Sequence, residues 1–166
     1  MTDRGSKRFA HVCLCVKDIE QARDHYRQIL SVVDPKQVQE TEVYYEDFGV
    51  EEERLAFVTF VSSDCEIQLM EPKTPGTPLY ERLQRKGEHV HHICFTSPRV
   101  EDVVDGLAAA GVGIVPQGIV GDPAVPFQKW TFVDPKLSHG VLIELANNYR
   151  SVDGKWVAAD EATSSV

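Results

Sequence analysis

The feature that most constrains this chain is an internal repeat. His11-Val12-Cys13-Leu14-Cys15-Val16 and His92-Ile93-Cys94-Phe95-Thr96-Ser97 share a His-aliphatic-Cys-apolar pattern at an offset of 81 residues. A helical pattern follows each block. Ile19, Ala22, Tyr26, Ile29 and Leu30 form one apolar stripe over Asp18 to Leu30, with Asp18 and Gln21 placed as a capping pair. Val100, Val103, Val104, Leu107 and Ala110 form the second stripe, over about Pro98 to Ala110. Ser97-Pro98 is a suitable start for it and Gly111 a suitable stop. Strand-like segments then recur in order. Arg54-Leu55-Ala56-Phe57-Val58 matches Lys129-Trp130-Thr131-Phe132-Val133, and Ile67-Gln68-Leu69 matches Ile143-Glu144-Leu145. The later offsets, 75 and 76, differ from the first by a loop-sized deletion. Two blocks in the same order at nearly constant offset predict a duplicated unit of strand, helix and three strands. The expected fold class is α+β, two tandem βαβββ modules at 8–72 and 89–148. A turn-rich linker with a short helix, 73–88, joins them, and a polar tail, 149–166, follows.

The repeat places polar side chains where a sheet is ordinarily apolar. Alternate strand residues share a face, so His11 lies with Cys13 and Cys15 while Val12, Leu14 and Val16 face the helix layer. His92 lies with Cys94 and Thr96; Gln68 and Glu144 each interrupt a pair of aliphatic residues at matching positions. A carboxylate in such a place must be neutralised, paired or bound to metal. Two imidazoles, one amide oxygen and one carboxylate, two from each module, make a divalent-metal set with positions left for water or substrate. We therefore expect His11, Gln68, His92 and Glu144 to bind one divalent cation. His91 faces the other way from His92, and His25, His89 and His139 have no repeat counterpart.

Composition narrows the classes. The 26 acidic against 17 basic residues give a formal charge of −9, which argues against binding a phosphate backbone. No window approaches the roughly 18 apolar residues of a membrane helix, and no hydrophobic signal core follows the polar start. The expectation is a protein of the cytoplasm without nucleic-acid or membrane partners. Cys13, Cys15, Cys65 and Cys94 lie in apolar, strand-like surroundings and read as reduced core residues rather than a zinc ribbon.

With these residues in view, the chain resembles the vicinal oxygen chelate superfamily, which includes glyoxalase I, extradiol dioxygenases and methylmalonyl-CoA epimerase. The similarity runs from Phe9 to Asn148. It is carried by His11-Val12, Val16-Lys17-Asp18-Ile19-Glu20-Gln21-Ala22 and Ile67-Gln68-Leu69-Met70-Glu71-Pro72. His91-His92-Ile93-Cys94, Phe132-Val133-Asp134-Pro135-Lys136 and Gly140-Val141-Leu142-Ile143-Glu144-Leu145 carry it further, and these segments are closest to the epimerases. The resemblance implies a curled mixed sheet around a metal-binding cavity, with the same four ligands. It implies Co, Ni, Mn, Zn or Mg as the ion, without choosing among them, and a homodimer.

It further implies a metal-dependent isomerase, an epimerase that removes and returns a proton at a carbon α to a carbonyl. Glu144 is the implied base. A second carboxylate is implied on the strand that opens with Glu51-Glu52-Glu53; counting from Gly49 favours Glu52, whereas counting back from Phe57 puts Leu55 at the site. The expected substrate is a small carbonyl compound, an acyl-CoA among the candidates, although no basic cluster for CoA phosphates stands out beyond Lys73, Arg82, Arg85 and Lys86. The approach to the last hairpin is long and aromatic, and Phe127 and Trp130 are candidates to line a pocket for a ring or other hydrophobic group. That feature keeps open a glyoxalase-type lyase or isomerase and an epimerase of a non-CoA keto-sugar or natural-product intermediate. A metal-free ligand-binding resistance protein is the alternative from outside enzymes; such proteins usually lose the ligand set this chain keeps.

Overall fold

The computed structural model describes residues 9–35, 44–47, 54–60, 65–122, 125–152 and 155–158. They form an α+β structure of two compact units, one being His11–His91 and the other His92–Val166 together with Met1–Ala10.

In the first half, β1 (Phe9–Cys15) leads into α1 (Ile19–Val33), followed by β2 (Tyr44–Asp47), β3 (Arg54–Phe60) and β4 (Glu66–Pro72). The strand order is β2-β3-β4-β1; β1 and β4 are parallel and the other pairs antiparallel. A parallel pair needs a crossover, and α1 belongs to it. The helix packs on the sheet through Val16, Ile19, Leu30, Phe60 and Leu69, with Leu14 and Ile67 at their edge, so the apolar alternation expected of β1 and β4 is the one observed. Ile29 departs from the expected stripe. It sits at the edge of the arc set by Ile19, Tyr26 and Leu30 and is 52% exposed.

A short helix, α2 (Pro78–Lys86), follows, capped by Thr77 and stopped at Gly87, whose positive φ of 77° suits glycine. The second half then repeats the first: β5 (His89–Ser97), α3 (Val100–Ala109), β6 (Val120–Asp122), β7 (Val125–Phe132) and β8 (Ile143–Asn147), in the order β5-β8-β7-β6 with β5 and β8 parallel. Val100, Val133 and Leu145 form its core with Val103, Val104 and Leu107 of α3.

The structure corrects several local expectations. Ser97 does not cap α3. It is still in the β5 ladder, in register with Asn147 and accepting from the Asn148 amide at 2.7 Å, so the helix begins at Val100 and its cap residue is Arg99. Three of the four cysteines are buried free thiols, whereas Cys65, just before β4, is half-buried. Burial pushes the Cys15 thiol up to about 11, which leaves it protonated and inert at neutral pH. The polar segment after Asn148 also carries a two-stranded antiparallel sheet, β9 (Tyr149–Val152) with β10 (Lys155–Ala158). The sequence between those strands is Asp153-Gly154, a strong hairpin dipeptide. Among the described residues no helix is long and apolar enough to cross a membrane.

Candidate functional site

In each half the first strand and the last strand run side by side, and their register fixes which side chains can meet. Cys13 is opposite Gln68, and Cys94 is opposite Glu144. Each histidine stands two residues before that cysteine. His11 is therefore related to Gln68 as His92 is to Glu144, and each pair shares the face away from the helix. The duplication inferred from sequence extends to the register of the sheet.

These polar groups are withdrawn from water. His11 and Gln68 are 3% and 2% exposed, and His92 is buried as well. In the C-terminal half, His92 Nε2 lies 2.7 Å from Glu144 Oε2, with the glutamate side chain 15% exposed. Phe132 is opposite Glu144 in register and meets the His92 ring edge-on, with centroids 5.8 Å apart. The ring contact holds the imidazole against the carboxylate and shields the pair from solvent. An imidazole nitrogen and a carboxylate oxygen this close require a proton or a cation between them. The donor set of this half therefore suits a divalent ion, which would take the proton's place, and the N-terminal half offers a matching imidazole nitrogen and amide oxygen. In the N-terminal half, α2 covers the same face beyond Gln68, where Leu83 packs on Cys13, Cys15 and Met70.

The other expected site residues fall out differently. Trp130, opposite Ala146 in β7, has the same parity as Phe132 and so lies on the face of Glu144. Phe127 lies in the stretch of β7 where the pairing with β6 shifts register, between the partners of Gly121 and Asp122, while Lys129 Nζ, on the opposite face from Trp130, reaches Glu101 of α3 at 2.7 Å. Glu52 lies outside the described residues. His25 is exposed, and His139 occupies an exposed turn with φ of 54°.

Two residues were missed. Glu66 is 3% exposed, in register with His11, and on the same face as Gln68. The alternation that selected Gln68 also selects Glu66, so the signal was available in Glu66-Ile67-Gln68-Leu69. Cys94 Sγ lies within 4.8 Å of a Glu144 carboxylate oxygen, so this thiol borders the polar pair rather than filling a remote core.

The pattern of the glyoxalase/bleomycin resistance protein/dioxygenase superfamily matches residues 10–126. The chain belongs to that superfamily. It is similar to an ethylmalonyl-CoA/methylmalonyl-CoA epimerase of Cereibacter sphaeroides, 30% identical over 144 residues that cover 83% of this chain and 96% of that one. It is also similar to uncharacterized protein YqjC of Bacillus subtilis, 28% identical over 142 residues, 83% of this chain and 90% of that one. The crystal structure of methylmalonyl-CoA epimerase from Mycobacterium tuberculosis aligns with a TM-score of 0.66 at 22% identity, over 89% of this chain and 92% of that one, a likeness of fold.

Proposed function

We propose that this protein is a divalent-metal-dependent epimerase acting at a carbon α to a carbonyl, with an acyl-CoA as substrate. The observation that carries the reading is the buried contact between His92 and Glu144, repeated in register by His11 and Gln68. The similarity to an ethylmalonyl-CoA/methylmalonyl-CoA epimerase supports the substrate class. His11, Gln68, His92 and Glu144 would hold the ion, one nitrogen and one oxygen donor from each half. Bound there, a divalent cation supplies charge stabilisation for the oxygen of a carbonyl substrate, which lowers the cost of ionising the adjacent carbon.

The protein's own groups then move the proton. Glu144 takes the α-proton on a carboxylate oxygen, and the electron pair of the broken C–H bond passes toward the carbonyl. His92 and Phe132 keep that carboxylate oriented and out of water. A second group, assigned to Glu52, returns a proton on the opposite face and inverts the centre. A cytoplasmic homodimer belongs to the same reading.

Trp130 and Phe132 put aromatic surface on the face of Glu144, which favours as a second reading an epimerase of a hydrophobic or ring-bearing keto compound without CoA. Deuterium wash-in separates the two. Metal-loaded protein in D2O is expected to exchange the α-proton of methylmalonyl-CoA or ethylmalonyl-CoA. Absence of exchange with Co, Ni, Mn, Zn and Mg in turn would overturn the acyl-CoA reading.

A further inference from the structure

The repeat contains a second matched device, three residues beyond each proposed oxygen ligand. Glu71 follows Gln68 by three positions, and its Oε2 accepts from the Ile19 amide, the first of α1, at 2.9 Å. Asn147 follows Glu144 by three, and its Oδ1 accepts from the Val100 amide, the first of α3, at 2.8 Å. Ile19 and Val100 are themselves 81 residues apart. An odd spacing along a strand puts the two side chains on opposite faces, so the ligand points into the site while its companion three residues on reaches the helix.

From this we infer that Glu71 and Asn147 are positioning residues, clamps that fix the register and height of each ligand strand against the helix of its own half. A helix start exposes amides with no partner inside the helix, and an acceptor there is held by both hydrogen bond and dipole. A strand tied at that point cannot slide without breaking the bond, and a one-residue slip would turn its ligand to the wrong face.

The two clamps differ. In α1 the Asp18 side chain also caps, accepting from Gln21 N at 2.9 Å, and Glu71 is further held by Lys73 Nζ at 2.6 Å. In α3 the cap residue Arg99 makes no side-chain cap hydrogen bond, and the Val100 amide is met by Asn147. Its Nδ2 also donates to Phe127 O at 3.1 Å, which ties β7, the strand of Trp130 and Phe132, into the same clamp.

The inference rests on the metal reading, and the experiment separates the two. Zn2+ or Co2+ affinity of the full chain is measured by chelator competition beside its urea midpoint, for the wild type and for Asn147→Ala, Glu71→Ala and Asp18→Ala. Asp18→Ala weakens the start of α1 without touching a ligand strand, so it controls for loss of helix stability. Asn147→Ala is expected to weaken the cation about tenfold, and Glu71→Ala by a smaller factor. Asp18→Ala should bind as the wild type does while losing a comparable urea midpoint to Glu71→Ala. Asn147→Asp, which keeps the acceptor for Val100, should restore most of the affinity. Clamp variants that bind like the wild type, or an Asp18→Ala loss of cation affinity equal to that of Glu71→Ala, would overturn the inference alone. A wild type that binds no divalent cation would overturn the metal reading and the inference with it.

Discussion

In the N-terminal half the carboxylate, Glu66, stands directly opposite His11, and the position two residues on is the amide Gln68. In the C-terminal half the equivalent positions are Leu142 and Glu144, so the carboxylate has moved one step along the same face and meets His92 directly. The backbone register is common to both halves; the placement of charge is not. The difference teaches that duplication set where polar groups can stand, while the chemistry of each position was set separately. On the proposed reading, the half whose carboxylate meets its histidine is the one that moves protons, and the amide of the other half serves to hold the ion.

The largest effect should separate those roles. Glu144→Gln makes the two ligand pairs chemically alike and should lower α-proton exchange about 10²- to 10⁴-fold. Gln68→Ala should instead weaken the cation by about 10- to 100-fold, with exchange recovered at saturating metal. Equal loss of exchange at saturation in both variants would erase the distinction.

The helix-facing side of each ligand strand offers a second comparison. Leu69 is wholly buried among Val16, Ile19, Leu30 and Phe60, and its counterpart Leu145 packs with Val100 and Val133. Leu69→Ala should cost about 4 kcal/mol and Leu145→Ala about 3 kcal/mol by urea denaturation. In metal-free protein, His92→Ala removes the imidazole that faces the Glu144 carboxylate and should lower the urea midpoint, a loss that the double variant with Glu144→Gln should reduce.

Smaller effects sharpen the contrast between the helix starts. Asp18 and Arg99 have nearly the same backbone angles, φ −141° and ψ 107° against φ −143° and ψ 114°, yet only Asp18 caps. Arg99→Ser gives α3 the cap that α1 has and should stabilise the chain by about 0.5–1 kcal/mol, read from thermal and urea midpoints.

The acidic residues of the two first turns differ as well. Glu20 pairs with Arg23 within α1, whereas Glu101 reaches across to Lys129 of β7 at 2.7 Å. The hydrogen bond from Lys129 holds the Glu101 carboxyl below its ordinary value. A depressed folded-state value means stability that is present above the ordinary carboxylate range and lost as the pH falls through the depressed one. The small gap in urea midpoint between wild type and Lys129→Met should therefore close on acidification through that range. A gap that widens instead would contradict the assignment.

Much of this was legible in the chain because duplication writes each constraint twice. The aliphatic partners of His11, Gln68 and Glu144 told which face met the helix, and the observed cores use Leu14, Val16, Ile67, Leu69, Ile143 and Leu145, whereas Phe95, beyond His92, is 38% exposed. The start of α3 was not legible. Ser97-Pro98 is a good local cap, but the ladder with β8 claims Ser97, and the group that bonds the first amide lies 47 residues away. Phe127 and Trp130 looked equivalent as aromatics near one hairpin, and the register shift between β6 and β7 that lies beside Phe127 was not legible. Glu66 was legible by the same alternation as Gln68 and was passed over because it begins a strand, where a polar residue looks ordinary.

The central proposal is that His11, Gln68, His92 and Glu144 hold a single cation. Metal content after reconstitution and removal of excess ion tests it directly, for the wild type and for His11→Ala and His92→Ala. The account predicts one divalent ion per chain, lost or much weakened by either substitution. Two ions per chain, each removed by only one substitution, or one ion unmoved by both, would contradict it.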